Sequence, residues 1–490
     1  MFNKDINKTI MYLKDQYKDS TDISFRKLKF RKNEILLVYN QSITNSNFIN
    51  FFIVNPIVSY NKKSLKSDFS LVCDIISANN IKNINNEDDV FKYLGNGFSI
   101  LFIGDKGIAI ESKEDLSRGV SEPLIEQTIS GPKDAFCENY MTNIGLVRKR
   151  IKSNHLIVSE TTVGKQTKTK VSVLYMDNIA EKEIVDNVIN KINSIDIDGL
   201  FDSTYIKQII EDNNSCFSTI ETTERPDLTS MFLLEGKVCV IMENSPYALI
   251  IPTFFIDLFH TPEDYYQKPK NVSFTRIIRI MSFFIAIILP AFYIAITTFN
   301  HETIPITLIV NFASQSYGVP FPTIVEAIGM SLVFEILRES DIRMPNLSGS
   351  AISILGAIVL GDAAVTAGIV SPIMVIVIAV SSICSLMFSY VSMVNAIRLW
   401  KLIFMLLAAF LGLFGVFLGI LLLSIDLSSL KSFGKPFLYP IVPLNTNYLG
   451  DTFILKNIKK RNKRNPMLTN TNKIRSRLWK SYLFYVCFVF

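Results

Sequence analysis

Three carboxylates carry the chemistry most worth placing in this chain. Glu326, Glu335 and Asp362 fall within Pro320–Pro372, inside two segments apolar enough to enter a bilayer. An ionised acid at that depth costs about 2.5–3.5 kcal/mol on insertion scales, so it turns toward protein, water or an ion path. At 100° per residue Glu326 and Glu335 lie on opposite helix faces and cannot act as one dyad. Glu335, Arg338 and Glu339 share a face, and Arg343 follows them, so these charges also read as a plain interfacial cluster. For Glu326 a pore-facing position competes evenly with a helix–helix hydrogen bond. Asp362 is the first choice for an ion-path residue, with Glu326 and Glu335 beside it as ion-path or gating residues.

No other residues assemble into a reaction centre. His155, His260 and His301 stand alone, and the six cysteines (Cys73, Cys137, Cys216, Cys239, Cys384, Cys487) have no CxxC pair or regular spacing. Neither a disulfide framework nor a zinc site is expected. The glycine-rich Gly95–Gly107 precedes its strand, whereas a dinucleotide fingerprint follows one; it reads as the turn of a hairpin. Gly164–Lys170 lacks the GxxxxGK[ST] of a phosphate loop. No Ser/His/Asp set or paired carboxylates occur in the first half. The expectation is therefore no enzyme, no metal, no cofactor and no nucleic acid.

The elements that must hold the acids divide the chain in two. Mean hydropathy is +0.30 over 490 residues, and the apolar residues concentrate after Phe274, the mark of an integral membrane protein. Residues 1–33 read as a helix leading into a first strand. Strands follow at Ile35–Tyr39, Phe51–Val54, Phe98–Ile103 and Gly107–Ile110, with helices at Ser70–Ala78 and Glu87–Leu94. Gly131 opens a second unit. Its first helix is expected to begin near Pro132 and to end in the cations Arg148, Lys149 and Arg150, read as a solvated face ahead of a contact with acidic lipid headgroups or a partner. Strands at His155–Thr162, Val171–Met176, Val238–Met242 and Ala248–Ile251, with a helix at Glu181–Asn193, complete it. The fold class is an α/β soluble N-terminal region of two subdomains, 1–130 and 131–270, followed by an all-α polytopic membrane domain, 271–425. A basic tail, 426–490, ends the chain.

In the membrane half, Lys268, Lys270, Arg276 and Arg279 precede a charge-free run from Ile280 to His301, holding the N-side in the cytoplasm. The polar start MFNKDINKTI has no apolar core, so no secretory signal is expected. Thr303–Val319 is polar enough for a loop or re-entrant segment. Further spans are expected at Pro320–Leu337, Asn346–Val370, Ile373–Ile397 and Leu402–Ile425, with a cytoplasmic return at Arg398 and Lys401. Gly356, Gly361, Gly368, Gly415 and Gly419 are candidate helix-packing positions. Five spans would put the C-terminus across the membrane, yet the ten Lys/Arg and no acid of 456–480 favour the cytoplasmic side.

Several segments together resemble the A subunit of spore germinant receptors, the GerA family. They are Glu122–Lys152, Lys168–Ala180, ERPD at Glu224–Asp227, Gly236–Tyr266 and Pro320–Pro372. Ser331 stands where the family pattern leads one to expect a Glu, and Asp362 where it leads one to expect an uncharged amide. The resemblance implies a multi-pass receptor subunit in the spore inner membrane, oligomerising with copies of itself among membrane lipids. It implies a permease-like B subunit that binds the germinant, a lipoprotein C subunit, and a conduit that releases cations. A secondary transporter, which would show an internal repeat in its membrane half, and a non-conducting scaffold are the rivals.

Overall fold

The computed structural model describes residues 6–475 apart from 19, 32, 61–66, 79, 85, 115–122, 124–125, 212–214, 304, 344–360, 446–447, 449–450, 458–460 and 470–471. Its soluble half is built on two five-stranded antiparallel sheets. In the first, helix α1 (Ile6–Gln16) leads to β1 (Ile23–Phe30) and β2 (Asn33–Asn40), then α2 (Ser46–Val58) and α3 (Asp68–Ile75). Next come β3 (Ile81–Ile84), α4 (Glu87–Leu94), β4 (Phe98–Ile103) and β5 (Lys106–Glu111), in the order β1-β2-β4-β5-β3. Successive strand residues point to opposite faces. Leu37, Leu101, Ile103 and Ile110 therefore pack under α2 and α3, while Leu36, Val38, Ile100 and Phe102 pack under α1 and α4.

Two expectations fail here for reasons of burial period. Residues 51–54 are helical, not a strand: Asn45 caps the turn by accepting the Phe48 N–H, and Ile49, Ile53 and Ile57 bury at four-residue spacing. Residues 23–30, expected as helix, form an edge strand whose Arg26, Lys27 and Lys29 blunt the open side.

The second sheet repeats the first. Helix α5 (Tyr140–Arg150) is followed by β6 (Leu156–Val163), β7 (Thr169–Met176), α6 (Lys182–Asn193) and α7 (Ser203–Ile210). Then come β8 (Glu221–Thr223), α8 (Pro226–Glu235), β9 (Val238–Met242) and β10 (Ala248–Ile251), ordered β6-β7-β9-β10-β8. Strand for strand this is the connectivity of the first sheet, a repeat invisible in the residues themselves. Helix α5 starts eight residues later than Pro132 suggested. Asn139 caps it through the Thr142 N–H, and the Phe136 N–H is already committed to the Glu224 carbonyl.

Arg148 is not solvated. It is buried, with Nε 2.8 Å from Asp22 Oδ2 and Nη2 2.9 Å from Asp22 Oδ1, and it clamps the second unit to the first. Removing one partner of a buried pair strands the other. Arg148→Met should cost about 3–5 kcal/mol, read as a lowered unfolding midpoint of the full chain in detergent.

The remaining helices are α9 (Pro269–Thr298), α10 (Ile306–Ser316), α11 (Thr323–Arg343), α12 (Pro372–Ser385), α13 (Val391–Leu411) and α14 (Leu413–Ser429). Among the described residues α9 and α13 are long and apolar enough to cross a membrane; α12 and α14 are apolar but shorter. Residues 306–316 are helical and carry no buried residue, where a loop or re-entrant piece was expected.

The last two expected runs are redistributed over three helices. Residues 386–390 break the first run, and Arg398 with Lys401 sits inside α13, not in a turn. The chain reverses instead at Gly412, whose φ of +61° and ψ of −140° suit glycine alone. A Cβ there would meet Asn300 Oδ1 at 2.6 Å. After the reversal α14 lies along α13. A side chain at Gly415 would strike the Leu407 carbonyl oxygen, and one at Gly419 would press on the Phe404 ring.

After α14 the tail returns to the second sheet unit. Lys435 pairs with Glu181 at 2.6 Å, Arg464 Nε donates to the Leu234 carbonyl at 2.8 Å, and Arg475 pairs with Glu235. Basic residues of the tail, read from the sequence as a signal for the cytoplasmic side, are thus partly spent on the second sheet unit.

Candidate functional site

Where the second sheet meets the apolar helices, buried ionic contacts stand beside an aromatic cluster in which Phe255 and Phe259 pack on Phe283. The short turns Phe255–Phe259 and Pro262–Tyr265 present Asp264 to the first turns of α9. Thr261 fixes Asp264 by donating from its N–H and hydroxyl. Arg276 and Arg279, three residues apart on one helix face, both close on this acid. Arg279 Nη2 stands 2.6 Å from Oδ1, and Arg276 Nε 3.0 Å from Oδ2. Burial alone would raise the Asp264 carboxyl; the hydrogen bonds and charge of Arg279, then the charge of Arg276, hold it at about 2. Arg276 Nη1 also donates to the carbonyls of Asp451 and Thr452, so one guanidinium joins α9, the soluble turn and the tail. The basic flank read as a topology signal is therefore half internal wiring.

A second contact lies at the start of α13. Tyr390, immediately before that helix, donates its hydroxyl to the buried Glu221 of β8, and Lys237 Nζ lies 4.0 Å from the other Glu221 oxygen. Lys237 is held 2.7 Å from Asp257 and over the Phe232 ring. Burial pushes the Glu221 carboxyl up to about 7 against the pull of Lys237. An acid raised on folding stabilises the folded state at low pH, and that share declines as pH climbs from 4.5 through 7. Warming the wild type at pH 8 instead of pH 5 should therefore lower its midpoint, and Glu221→Gln should remove the Glu221 share of that fall, about 3 kcal/mol at most.

The ERPD segment braces this junction from behind. Arg225 is fully buried; its Nη2 lies 2.9 Å from Asp227 Oδ2 and 2.7 Å from the Pro132 carbonyl, and its Nη1 reaches the Glu126 carbonyl. Glu224 accepts the Glu126 N–H at 2.7 Å, and Pro226 opens α8. Burial raises Glu126 to about 8. Sequence reasoning singled out ERPD but assigned none of these roles; a run of charges beside a helix-starting proline was the signal available.

The expected membrane acids are scattered. Glu326 is 5% exposed and accepts the Ser371 N–H at 2.8 Å, at the entry to α12. Glu335, a turn and a half of helix from the end of α11's described side chains, pairs with Arg398 of α13. Asp362 lies on the exposed side of the helical residues 361–366. The structure does not bring the three together. Arg338 is half-buried, Glu339 exposed, and Arg343 is the last residue of α11. Gly361 has Val375 at ordinary contact distance, Gly368 has a φ of +64°, and Gly356 lies outside the described residues. The partner that sequence reasoning missed is Arg398, because its helix was taken to end there.

Comparison with known proteins gives this arrangement a context. The family model described as Bacillus/Clostridium GerA spore germination protein matches residues 11–467. Spore germination protein KA of Bacillus subtilis (strain 168) is 34% identical over 460 residues, 92% of this chain and 84% of that protein. The uncharacterized membrane protein YfkQ of the same organism is 34% identical over 438 residues, 89% of this chain and 85% of its own. Spore germination protein GerQA of Bacillus cereus is 29% identical over 486 residues, 96% and 97% of the two chains. Among solved structures, the N-terminal domain of the A subunit of the Bacillus megaterium spore germinant receptor GerK3 aligns with 52% of this chain and 96% of its own. Its identity is 26% and its TM-score 0.41. With a family match running from the first helix into the tail, the chain belongs to the GerA family of spore germination proteins.

Proposed function

We propose that this chain is the A subunit of a nutrient germinant receptor in the spore inner membrane. In this reading it oligomerises with copies of itself and forms or gates a cation-release conduit. A permease-like partner subunit holds the germinant, and a lipoprotein subunit completes the receptor. The observation that carries the reading is the double polar junction, one link a hydrogen bond and the other ionic. Glu221–Tyr390 and Asp264–Arg276–Arg279 join one soluble sheet to two membrane helices, so a displacement of the sheet is transmitted to both.

Topology supports it. The tail contacts the same unit that precedes α9, which calls for an even number of crossings. The basic residues at both ends of the helical region favour the cytoplasm for that side. Within the helices, Asp362 and the Glu335–Arg398 pair are the groups for an ion path, and the Glu326 carboxylate serves as a cap that fixes α12. A non-conducting scaffold is the second reading, favoured by that capping bond.

Deletion of the chain tests the assignment. Spores without it should lose potassium release to a nutrient mixture that triggers the parent, and a plasmid copy should restore it. Unchanged release across every nutrient that triggers the parent contradicts the reading.

A further inference from the structure

A cavity of about 810 Å³ lies between the second sheet unit, the root of α9 and the returning tail. We propose that it is a binding site for a small organic anion. Its charge lining is unbalanced: among the described residues Lys237, Lys456, Arg461, Lys463 and Arg475 stand against Glu235, Asp257 and Asp451. Each acid is already held, Asp257 by Lys237, Glu235 by Arg475 and Asp451 by Arg461. That leaves Lys456 and Lys463 in excess, both exposed.

A further positive charge stands behind the wall. Arg276 does not line the cavity but bonds Asp451 and Thr452, which do, and its buried Nη2 has no hydrogen-bond partner among the described residues. His260, also in the wall, adds no charge of either sign, because burial and then the charge of Arg276 keep it neutral. The sign of the ligand follows from this surplus.

Its body follows from the remaining walls. Phe232, Phe254, Tyr265 and Tyr439 stand in those walls, most of their ring area packed inward, and the volume greatly exceeds the needs of a bare inorganic ion. A flat organic group carrying a carboxylate or phosphate fits both features. Such a ligand touches the tail and the root of α9 at once, so its occupancy favours the docked tail by mass action. The site is independent of the receptor reading, since nothing in it requires a conduit or a partner.

The test uses the full chain in detergent micelles, titrated with sodium benzoate, inorganic phosphate and benzyl alcohol, which has the benzoate ring without its charge. Saturable benzoate binding, a raised melting midpoint and no binding of benzyl alcohol are expected, with phosphate weaker than benzoate. The double variant Lys456→Gln/Lys463→Gln removes only exposed cations and should melt as the wild type does. It should bind benzoate about fivefold more weakly, the scale of a partly exposed ion pair. Equal binding of benzyl alcohol, unchanged affinity in the double variant, or no saturable binding of either anion overturns the proposal.

Discussion

Asp264→Ala should detach α9 from the soluble half. The substitution leaves Arg276 and Arg279 buried without their shared acid, and breaking a buried pair costs about 3–5 kcal/mol. Arg279 loses its one acid among the described residues, whereas Arg276 keeps Asp451, so the effect should fall within that range and not beyond it. Thermal unfolding in detergent measures the loss, and limited proteolysis after Tyr266 locates it. Asp264→Asn keeps shape and part of the hydrogen bonding, so it should fall between. The pH dependence has a defined sign. A carboxyl lowered on folding stabilises the native state above its ordinary 3.8, and that contribution disappears as pH falls through about 2. Wild type should therefore lose stability between these values, and Asp264→Asn should lack that step.

The second large effect concerns transport. Asp362 is exposed on its helical segment and, as an acid, concentrates cations wherever it meets water. Asp362→Asn should lower cation conductance roughly tenfold without lowering the melting midpoint, because no buried contact is broken. Glu335→Gln should differ in kind. It leaves Arg398 uncompensated among apolar helices, so both stability and conductance should fall. Glu326→Gln keeps a carbonyl oxygen that can still accept the Ser371 N–H, so it should be the mildest of the three.

How much of this was legible depended on period and on polarity. The strands Val238–Met242 and Ala248–Ile251 and the helix Glu87–Leu94 stand where apolar runs, a turn and an N-cap mark them. The two sheets share a strand order that the sequence hides, since strand pairing is set by contacts far apart in the chain. The hairpin at Gly412 was hidden for a different reason. Leu411, Gly412 and Leu413 bring no polar residue, so an apolar run seemed to continue where the backbone reverses. Arg398 and Lys401, conversely, looked like a turn because charge is a strong surface signal, yet Arg398 is answered by Glu335 across a helix contact. The extra helix gained this way fits a tail that sits on the soluble unit, which five spans could not place. Asp264 lay in a quoted segment and Arg276 and Arg279 in the basic flank, but Glu221 and Tyr390 in neither, and pairings such as Arg276 with Asp451 span 175 positions and have no local signature.

Conductance of the purified chain in planar bilayers, alone and with its partner subunits, bears most directly on the central claim. The account predicts cation-selective current that Asp362→Asn reduces and that Tyr390→Phe, which cuts the Glu221 link, uncouples from germinant. A wild-type chain that assembles with its partners yet carries no current above the empty bilayer, with or without germinant, would contradict it.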